Sequence, residues 1–146
     1  MKKFVSLLVT ILMTMLCCTS PVYASSDDIP QFTTATITRD NNIPTNTLDL
    51  STYGTYEFSG YAEGNAPLYT LYNFTGKDSY NVYVRNLGQR YTITVKLYRN
   101  TLIDYSVRSF TVTPGQRITV PIGDLSSSSK YYLQFSAPCY FEGTIS

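Results

Sequence analysis

The chain has 146 residues, with 11 Lys or Arg against 10 Asp or Glu, no His, no Trp, 3 Cys and 14 Tyr. This near-neutral balance gives no electrostatic reason to bind nucleic acid or an acidic membrane surface. Without His, the chain cannot form the Cys–His pair of the common cysteine nucleophiles or the mixed Cys and His cluster of many zinc sites. We therefore expect a protein without a cofactor or metal and without enzyme activity.

The first residues have the pattern of a secretory signal peptide. A basic start, "MKK", precedes 14 residues without charge (4–17), and Val22 and Ala24 occupy the small-residue positions of a cleavage site. An apolar run of this length is shorter than the roughly 20 residues that span a bilayer as a helix. The sequence predicts a signal peptide over residues 1–24, cleavage after Ala24, and a secreted, extracellular protein with no membrane span in the mature chain.

Two adjacent cysteines allow an alternative at this terminus. Either Cys17 or Cys18 would carry the lipid if the protein were a lipoprotein. Lipoprotein signals favour a small residue before that cysteine, whereas Leu16 precedes the first one here. Cleavage after Ala24 is the better fit, with lipidation as the weaker alternative.

The mature part is long enough for one domain with its own core. Removal of residues 1–24 leaves nine basic and ten acidic side chains. A chain of this size buries roughly two thirds of its unfolded surface. We expect residues 25–30 to form a flexible leader and residues 31–146 to form a single domain.

Strands are predicted along the whole mature chain, which is rich in Tyr, Thr and Val and has no sustained helical stripe. Three early segments alternate irregularly: "QFTTATIT", "YGTYEFSG" and "LYTLYNFT". The next, "SYNVYVRN", places Tyr80, Val82 and Val84 on one face, and "RYTITVKLY" does the same for Tyr91, Ile93, Val95 and Leu97. The short "NLGQ" connection between these two predicts an antiparallel hairpin.

The second half of the chain repeats this pattern. Pro114 and Gly115 favour a tight turn between "DYSVRSFTVT" and "QRITVPI", which predicts a second hairpin. "KYYLQFS" and "CYFEGTIS" follow a Ser-rich loop, with Tyr131, Leu133 and Phe135 in phase with one another. Eight or nine short strands at this spacing predict an all-β fold, an antiparallel two-layer sandwich of the jelly-roll or immunoglobulin-like kind.

Cys139 is the one cysteine outside the signal peptide. The alternation of the last strand places it in phase with Phe141 and Ile145, on the apolar face. A buried thiol packs as a small hydrophobe and loses reactivity, because burial disfavours the thiolate. We expect inert packing, with a dimer bridged through Cys139 as a less favoured alternative and catalysis least favoured of the three.

Acidic residues are the remaining route to catalysis, since paired carboxylates hydrolyse glycosides. No two of them show a recognisable spacing, and Asp78 and Asp124 lie in turn-like contexts. The candidates are Glu57, Glu63, Asp78, Asp104, Asp124 and Glu142. An envelope-directed glycoside hydrolase is accordingly kept as an alternative function.

Tyrosine is the most unusual feature of the composition. Rings that point out of a rigid sheet offer apolar contact area at low entropic cost, although outward Tyr also pairs across strands without any ligand. The alternation predicts four outward rings, Tyr83, Tyr98, Tyr132 and Tyr140. These four are the candidate ligand-binding residues.

The second half of the chain also resembles a known group. "NVYVRNLGQRYTITVKLYRN", "FTVTPGQRITVPIGDLSSSSKYYLQFSAP" and "FEGTIS" are similar to the small β-sandwich domains of secreted Gram-positive proteins, and most of all to bacterial pre-peptidase C-terminal-type domains. The resemblance implies an auxiliary, non-catalytic domain associated with secretion, surfaces or substrate contact.

These patterns together predict a small secreted bacterial protein that acts by contact. We expect it to bind an extracellular or cell-envelope partner, either glycan or protein, through an outward Tyr-bearing face. A glycoside hydrolase and a secreted antagonistic or toxin-like protein are the alternatives.

Overall fold

The computed structural model describes residues 43–146. The predicted signal peptide, the leader, Cys17, Cys18 and the strand expected at "QFTTATIT" lie outside this range. The described residues form one four-residue helix, α1 (Leu50–Tyr53), and ten strands. The strands are β1 (Asn46–Asp49), β2 (Tyr56–Ala62), β3 (Leu68–Tyr69), β4 (Tyr72–Thr75), β5 (Tyr80–Asn86), β6 (Ile93–Arg99), β7 (Tyr105–Val112), β8 (Arg117–Ile122), β9 (Tyr131–Phe135) and β10 (Cys139–Ile145).

The strands form two packed sheets, which confirms the all-β sandwich. The six-stranded sheet has the order β1-β4-β9-β6-β7, with β3 also paired to β9, and the four-stranded sheet has the order β2-β10-β5-β8. All pairs are antiparallel except β1 with β4. The strand count of ten in residues 43–146 is slightly higher than the expected eight or nine, because a break after Tyr69 divides "LYTLYNFT" into β3 and β4 and because β1 was not expected.

The core lies between the sheets and follows the predicted alternation. In β5, Tyr80, Val82 and Val84 are at most 1% exposed, whereas Asn81 and Arg85 lie outside. The same inward phase holds along β6, β9 and β10. Aromatic rings bridge the two layers, with Phe135 of the six-stranded sheet stacked on Phe141 of the four-stranded sheet at 4.0 Å between centroids.

The predicted hairpin between β5 and β6 is wrong. β5 pairs with β8 and β10, whereas β6 pairs with β7 and β9, so residues 87–92 cross from one sheet to the other. A connection of this length can turn within a sheet or span the roughly 10 Å between stacked sheets. The length of the connection therefore does not show whether it stays in one sheet or crosses to the other.

The second predicted hairpin, between β7 and β8, is wrong for the same reason. The tight turn is present, since Gln116 N donates to Thr113 O at 3.0 Å and Gly115 has φ of +72°. It nevertheless connects β7 of one sheet with β8 of the other. Among the strands described, β6 and β7 alone are consecutive and paired.

β1 and α1 have no counterpart in the sequence prediction. β1 buries Leu48 but leaves Asn46 and Thr47 exposed, so its pattern is too weak to identify a strand. Asn73, only 1% exposed, fixes this segment by donating its side-chain amide to Pro44 O at 2.5 Å. Asp49 then caps α1 by accepting from Ser51 N at 2.8 Å. No helix in residues 43–146 has the length and apolarity to cross a membrane.

The connections gather at two ends of the sandwich. We call the end formed by residues 63–67, 87–92, 113–116 and 136–138 the upper end. The lower end is formed by residues 76–79, 100–104 and 123–130.

Candidate functional site

The four predicted Tyr do not form one surface. Tyr98 and Tyr132 are register partners on the outer face of the six-stranded sheet. Tyr83 and Tyr140 lie on the outer face of the four-stranded sheet, on β5 and β10. The body of the sandwich separates the two pairs, so no single ligand-binding face contains all four rings.

Tyr132 supports the sheet instead of meeting solvent. It lies on the outer face but is only 2% exposed, because Tyr98 stacks on it at 5.3 Å with an angle of 9° and Tyr69 lies 6.0 Å away. Its hydroxyl donates to Asp104 Oδ2 at 3.0 Å. Burial, and then this hydrogen bond, raises the pKa of the Tyr132 hydroxyl. The prediction of an outward position is right for the face and wrong for the exposure.

Tyr140 belongs to an exposed aromatic pair. It faces Tyr61 of β2 in register, with centroids 5.7 Å apart and ring planes at 88°. The two side chains are 49% and 48% exposed. Tyr61 also donates its hydroxyl to Glu63, and this hydrogen bond raises the pKa of the Tyr61 phenol. Tyr83, by contrast, is half-buried between Thr119 and Thr144 of the neighbouring strands.

This pair borders a cleft at the upper end, which we call the upper cleft. Its volume is about 660 Å³, and it is lined by residues 61–63, 86–91 and 138–140. Tyr91, 54% exposed, contributes a third ring from the β5–β6 connection. Glu63 and Arg90 are the charged lining residues. The upper cleft thus combines three accessible rings with one carboxylate and one guanidinium.

A buried amide holds one wall of the upper cleft in place. Asn86, 1% exposed, donates through Nδ2 to Tyr91 O at 2.8 Å and to Val112 O at 2.9 Å, and its Oδ1 accepts from Gly88 N at 2.9 Å. Leu87 N also donates to the Tyr140 carbonyl at 2.8 Å. These bonds fix residues 87–91 against β10, so the wall is ordered before any ligand arrives.

Cys139 forms part of the cleft floor. It is 5% exposed, lies beside Ala62 in register, and is the one cysteine in residues 43–146. Burial raises the pKa of the thiol to about 11, slightly offset by a hydrogen bond from the Ala62 backbone. The low exposure of Cys139 confirms its expected burial on the apolar face. A thiol that stays protonated at neutral pH is a poor nucleophile.

The acidic candidates are dispersed. Glu63 is the one carboxylate among the residues that line the upper cleft. Glu142 points outward and pairs with Arg85 at 3.2 Å, and Asp124 occupies a turn with φ of +58°. Within residues 43–146, no group of three or more Cys, Asp or Glu has the arrangement of a metal site.

Sequence reasoning missed most of the upper cleft. It placed Tyr91 in the core because the alternation of β6 continues two residues upstream, whereas the strand begins at Ile93 and Tyr91 is exposed. Tyr61 lies in β2, and Glu63 directly follows it, and the sequence pattern of this strand was less regular. The sequence "NLGQRY" did predict a connection between strands. That these residues line the upper cleft follows only from their path from one sheet to the other.

Comparison with known proteins does not assign the chain to a family. No protein-family model matches the chain, and no curated protein matches it.

Proposed function

We propose that the protein is a secreted, non-catalytic binding module that holds a short segment of extracellular or cell-envelope glycan in the upper cleft. The observation that carries the proposal is the combination of three half-exposed rings, those of Tyr61, Tyr91 and Tyr140, around one preformed concavity. Aromatic faces pack against the apolar faces of sugar rings, and rigid Tyr side chains lose little entropy on contact.

The polar lining supplies groups that orient hydroxyls. Glu63 accepts hydrogen bonds, Arg90 donates them, and the Gln89 amide does both. A few placed polar groups in a mainly apolar pocket are typical of sites that bind small molecules. The ring pair at Tyr61 and Tyr140 and the loop at Tyr91 would then contact the same sugar segment from two sides.

The size of the upper cleft favours a glycan over a folded protein as the partner. Its volume of about 660 Å³ lies within the range of roughly 300–1,000 Å³ found for small-molecule pockets. A stable protein interface usually buries about 800 Å² on each partner, which is more than a concavity of this kind provides.

The number and positions of the carboxylates favour glycan binding over glycan hydrolysis. Hydrolysis of a glycosidic bond by the common mechanism needs two carboxyl groups about 5–10 Å apart across the bond. The lining of the upper cleft contributes Glu63 alone, and Glu142 is paired with Arg85 on the sheet face. We therefore place the hydrolase second among the candidate functions.

Replacement of Tyr61 and Tyr91 by Ala tests the proposal. We expect capture of soluble cell-envelope polysaccharide to weaken by at least about fivefold for each variant, since an aromatic contact contributes about 1 kcal/mol. Tyr83→Ala is the matched control, because this ring lies on the same sheet outside the upper cleft. Unchanged capture by both cleft variants, or an equal loss in the control, would contradict the proposal.

A second measurement separates binding from cleavage. After incubation of the protein with the captured glycan, we expect no new reducing ends. Formation of reducing ends that is abolished by Glu63→Gln would show that the protein is a hydrolase and not a binding module.

A further inference from the structure

The β6–β7 connection exposes two large aliphatic side chains at the lower end. Leu102 is 102% exposed and Ile103 is 82% exposed, more than any other large hydrophobic residue described in 43–146. Single exposed apolar residues are ordinary on protein surfaces, but adjacent and fully exposed pairs on an ordered loop are not. We call residues 100–104 the apolar tip.

The apolar tip is held in this conformation by hydrogen bonds of its own polar residues, made within the tip and to neighbouring elements. Asp104 Oδ1 accepts from Thr101 N at 2.9 Å, and the Thr101 hydroxyl donates to Ile103 O at 2.7 Å. Asp104 Oδ2 accepts from the buried Tyr132 hydroxyl, and Asn100 N donates to Lys130 O at 2.8 Å. Both carboxylate oxygens therefore turn inward, and the aliphatic pair turns outward.

Aromatic and basic residues lie at the base of the tip. Tyr105 begins β7 and is 49% exposed, and its hydroxyl accepts from Arg99 Nη1 at 3.0 Å. Lys130, also exposed, lies beside Asn100. Aliphatic residues on the loop, with Tyr105, Arg99 and Lys130 at its base, agree with the order of a bilayer surface, where hydrocarbon lies beneath headgroups that favour aromatic and cationic groups.

We propose that the apolar tip docks the protein on a lipid bilayer by inserting Leu102 and Ile103 among the outer acyl chains. The area and shape of the tip favour lipid over a second protein. A standard protein interface needs about 800 Å² on each side, whereas two side chains on a convex loop provide far less. A bilayer is deformable and encloses a small convex group without a complementary pocket.

Insertion, and not charge, carries the affinity in this proposal. Lys77, Arg99 and Lys130 at the lower end are balanced by three carboxylates in the connections there, those of Asp78, Asp104 and Asp124. This local balance of basic and acidic side chains agrees with the small net charge of the whole sequence. We accordingly expect weak dependence on salt and similar binding to zwitterionic and anionic lipid.

Docking at the lower end is independent of the glycan proposal, because the upper cleft lies at the other end of the sandwich. A protein held through the apolar tip would direct the upper cleft away from the lipid. The two sites can therefore be tested separately.

Sedimentation with phosphatidylcholine vesicles, with and without phosphatidylglycerol, tests the proposal on the protein purified after export. Wild-type protein should sediment with both vesicle types. The double variant Leu102→Ser/Ile103→Ser should bind at least about tenfold more weakly, since each change removes the transfer of one aliphatic side chain. Ile43→Ser/Leu71→Ser is the matched control, because it removes an exposed Ile and an exposed Leu outside the tip.

The outcomes are distinguishable. Loss of sedimentation in the tip variant alone, with an unchanged circular dichroism spectrum, supports lipid docking. Release of trapped dye that also requires the tip supports insertion and favours the antagonistic activity over simple attachment. Equal sedimentation of the two double variants overturns the proposal. Concentration-dependent dimers that need the tip, without vesicle binding, overturn it as well and make the tip an interface between two copies.

Discussion

At the scale of single residues, Cys139 lies at the wall of a cleft but is buried, and we expect its thiol to be unreactive. We expect iodoacetamide to label the native protein slowly at pH 8 and the urea-unfolded protein rapidly, because a buried thiol with a pKa of about 11 has little thiolate at that pH. Rapid labelling of the native protein would contradict burial. A band of dimer on a non-reducing gel would favour the intermolecular disulfide.

The same thiol should make stability depend on alkaline pH. Its pKa in the folded protein, about 11, exceeds the ordinary thiol value of 9.0, so the folded state keeps a proton that the unfolded state loses first. The contribution is fully present below pH 9 and is lost as the pH rises towards 11. Urea midpoints of wild type and Cys139→Ala should therefore converge over this interval, and parallel curves would contradict the assignment.

At the scale of elements, the centre of the four-stranded sheet depends on a glycine in β10. A Cβ at Gly143 would meet the Tyr83 carbonyl and would lie 2.5 Å from Phe58 Cε2, so backbone and ring would both have to move. We expect Gly143→Ala to lower the free energy of unfolding by roughly 1–3 kcal/mol, the usual cost of overpacking. Equilibrium unfolding in urea measures this change in the free energy of unfolding.

Gly64→Ala is the control for this change. A Cβ at Gly64 meets no atom within 4 Å, so the variant should unfold within about 0.5 kcal/mol of wild type. An equally mild effect of Gly143→Ala would show that β10 can move away from β5.

At the scale of the whole molecule, the two sheets should unfold as one unit. All ten strands contribute to one buried cluster, and the chain crosses between the sheets repeatedly. Neither sheet buries its inner face without the other, so cooperative unfolding is expected. Urea transitions followed by far-ultraviolet dichroism and by Tyr fluorescence should coincide. An earlier transition by either probe would contradict this expectation, because it would show a partly unfolded intermediate.

The sequence was sufficient for the inward phase of the regular strands and for the fold class. Val82, Val84, Leu133 and Phe141 are buried as predicted, because a period of two leaves one face apolar. Strand pairing was not predictable in the same way. The connection at residues 87–92 has the residues of a turn whether it stays in one sheet or crosses to the other.

The candidate site was predicted less well, because the upper cleft arises from three connections that are distant in the chain. Tyr140 was identified, but its partners Tyr61 and Tyr91 depend on the pairing of β2 with β10 and on the path of the crossing loop. Asn86 gave no sequence signal at all, since its role consists of hydrogen bonds to residues up to 26 positions away. Local alternation contains no information on such contacts.

The central position of β10 bears on how the four-stranded sheet forms. β10 lies between β2 and β5 and supplies the partner of each, whereas β2 and β5 do not pair with one another. Both pairings of β10 join segments that are more than 50 residues apart in the sequence. Because the entropy of closing such long loops is lost before the contacts form, we expect this sheet to assemble late and the protein to fold slowly for its size.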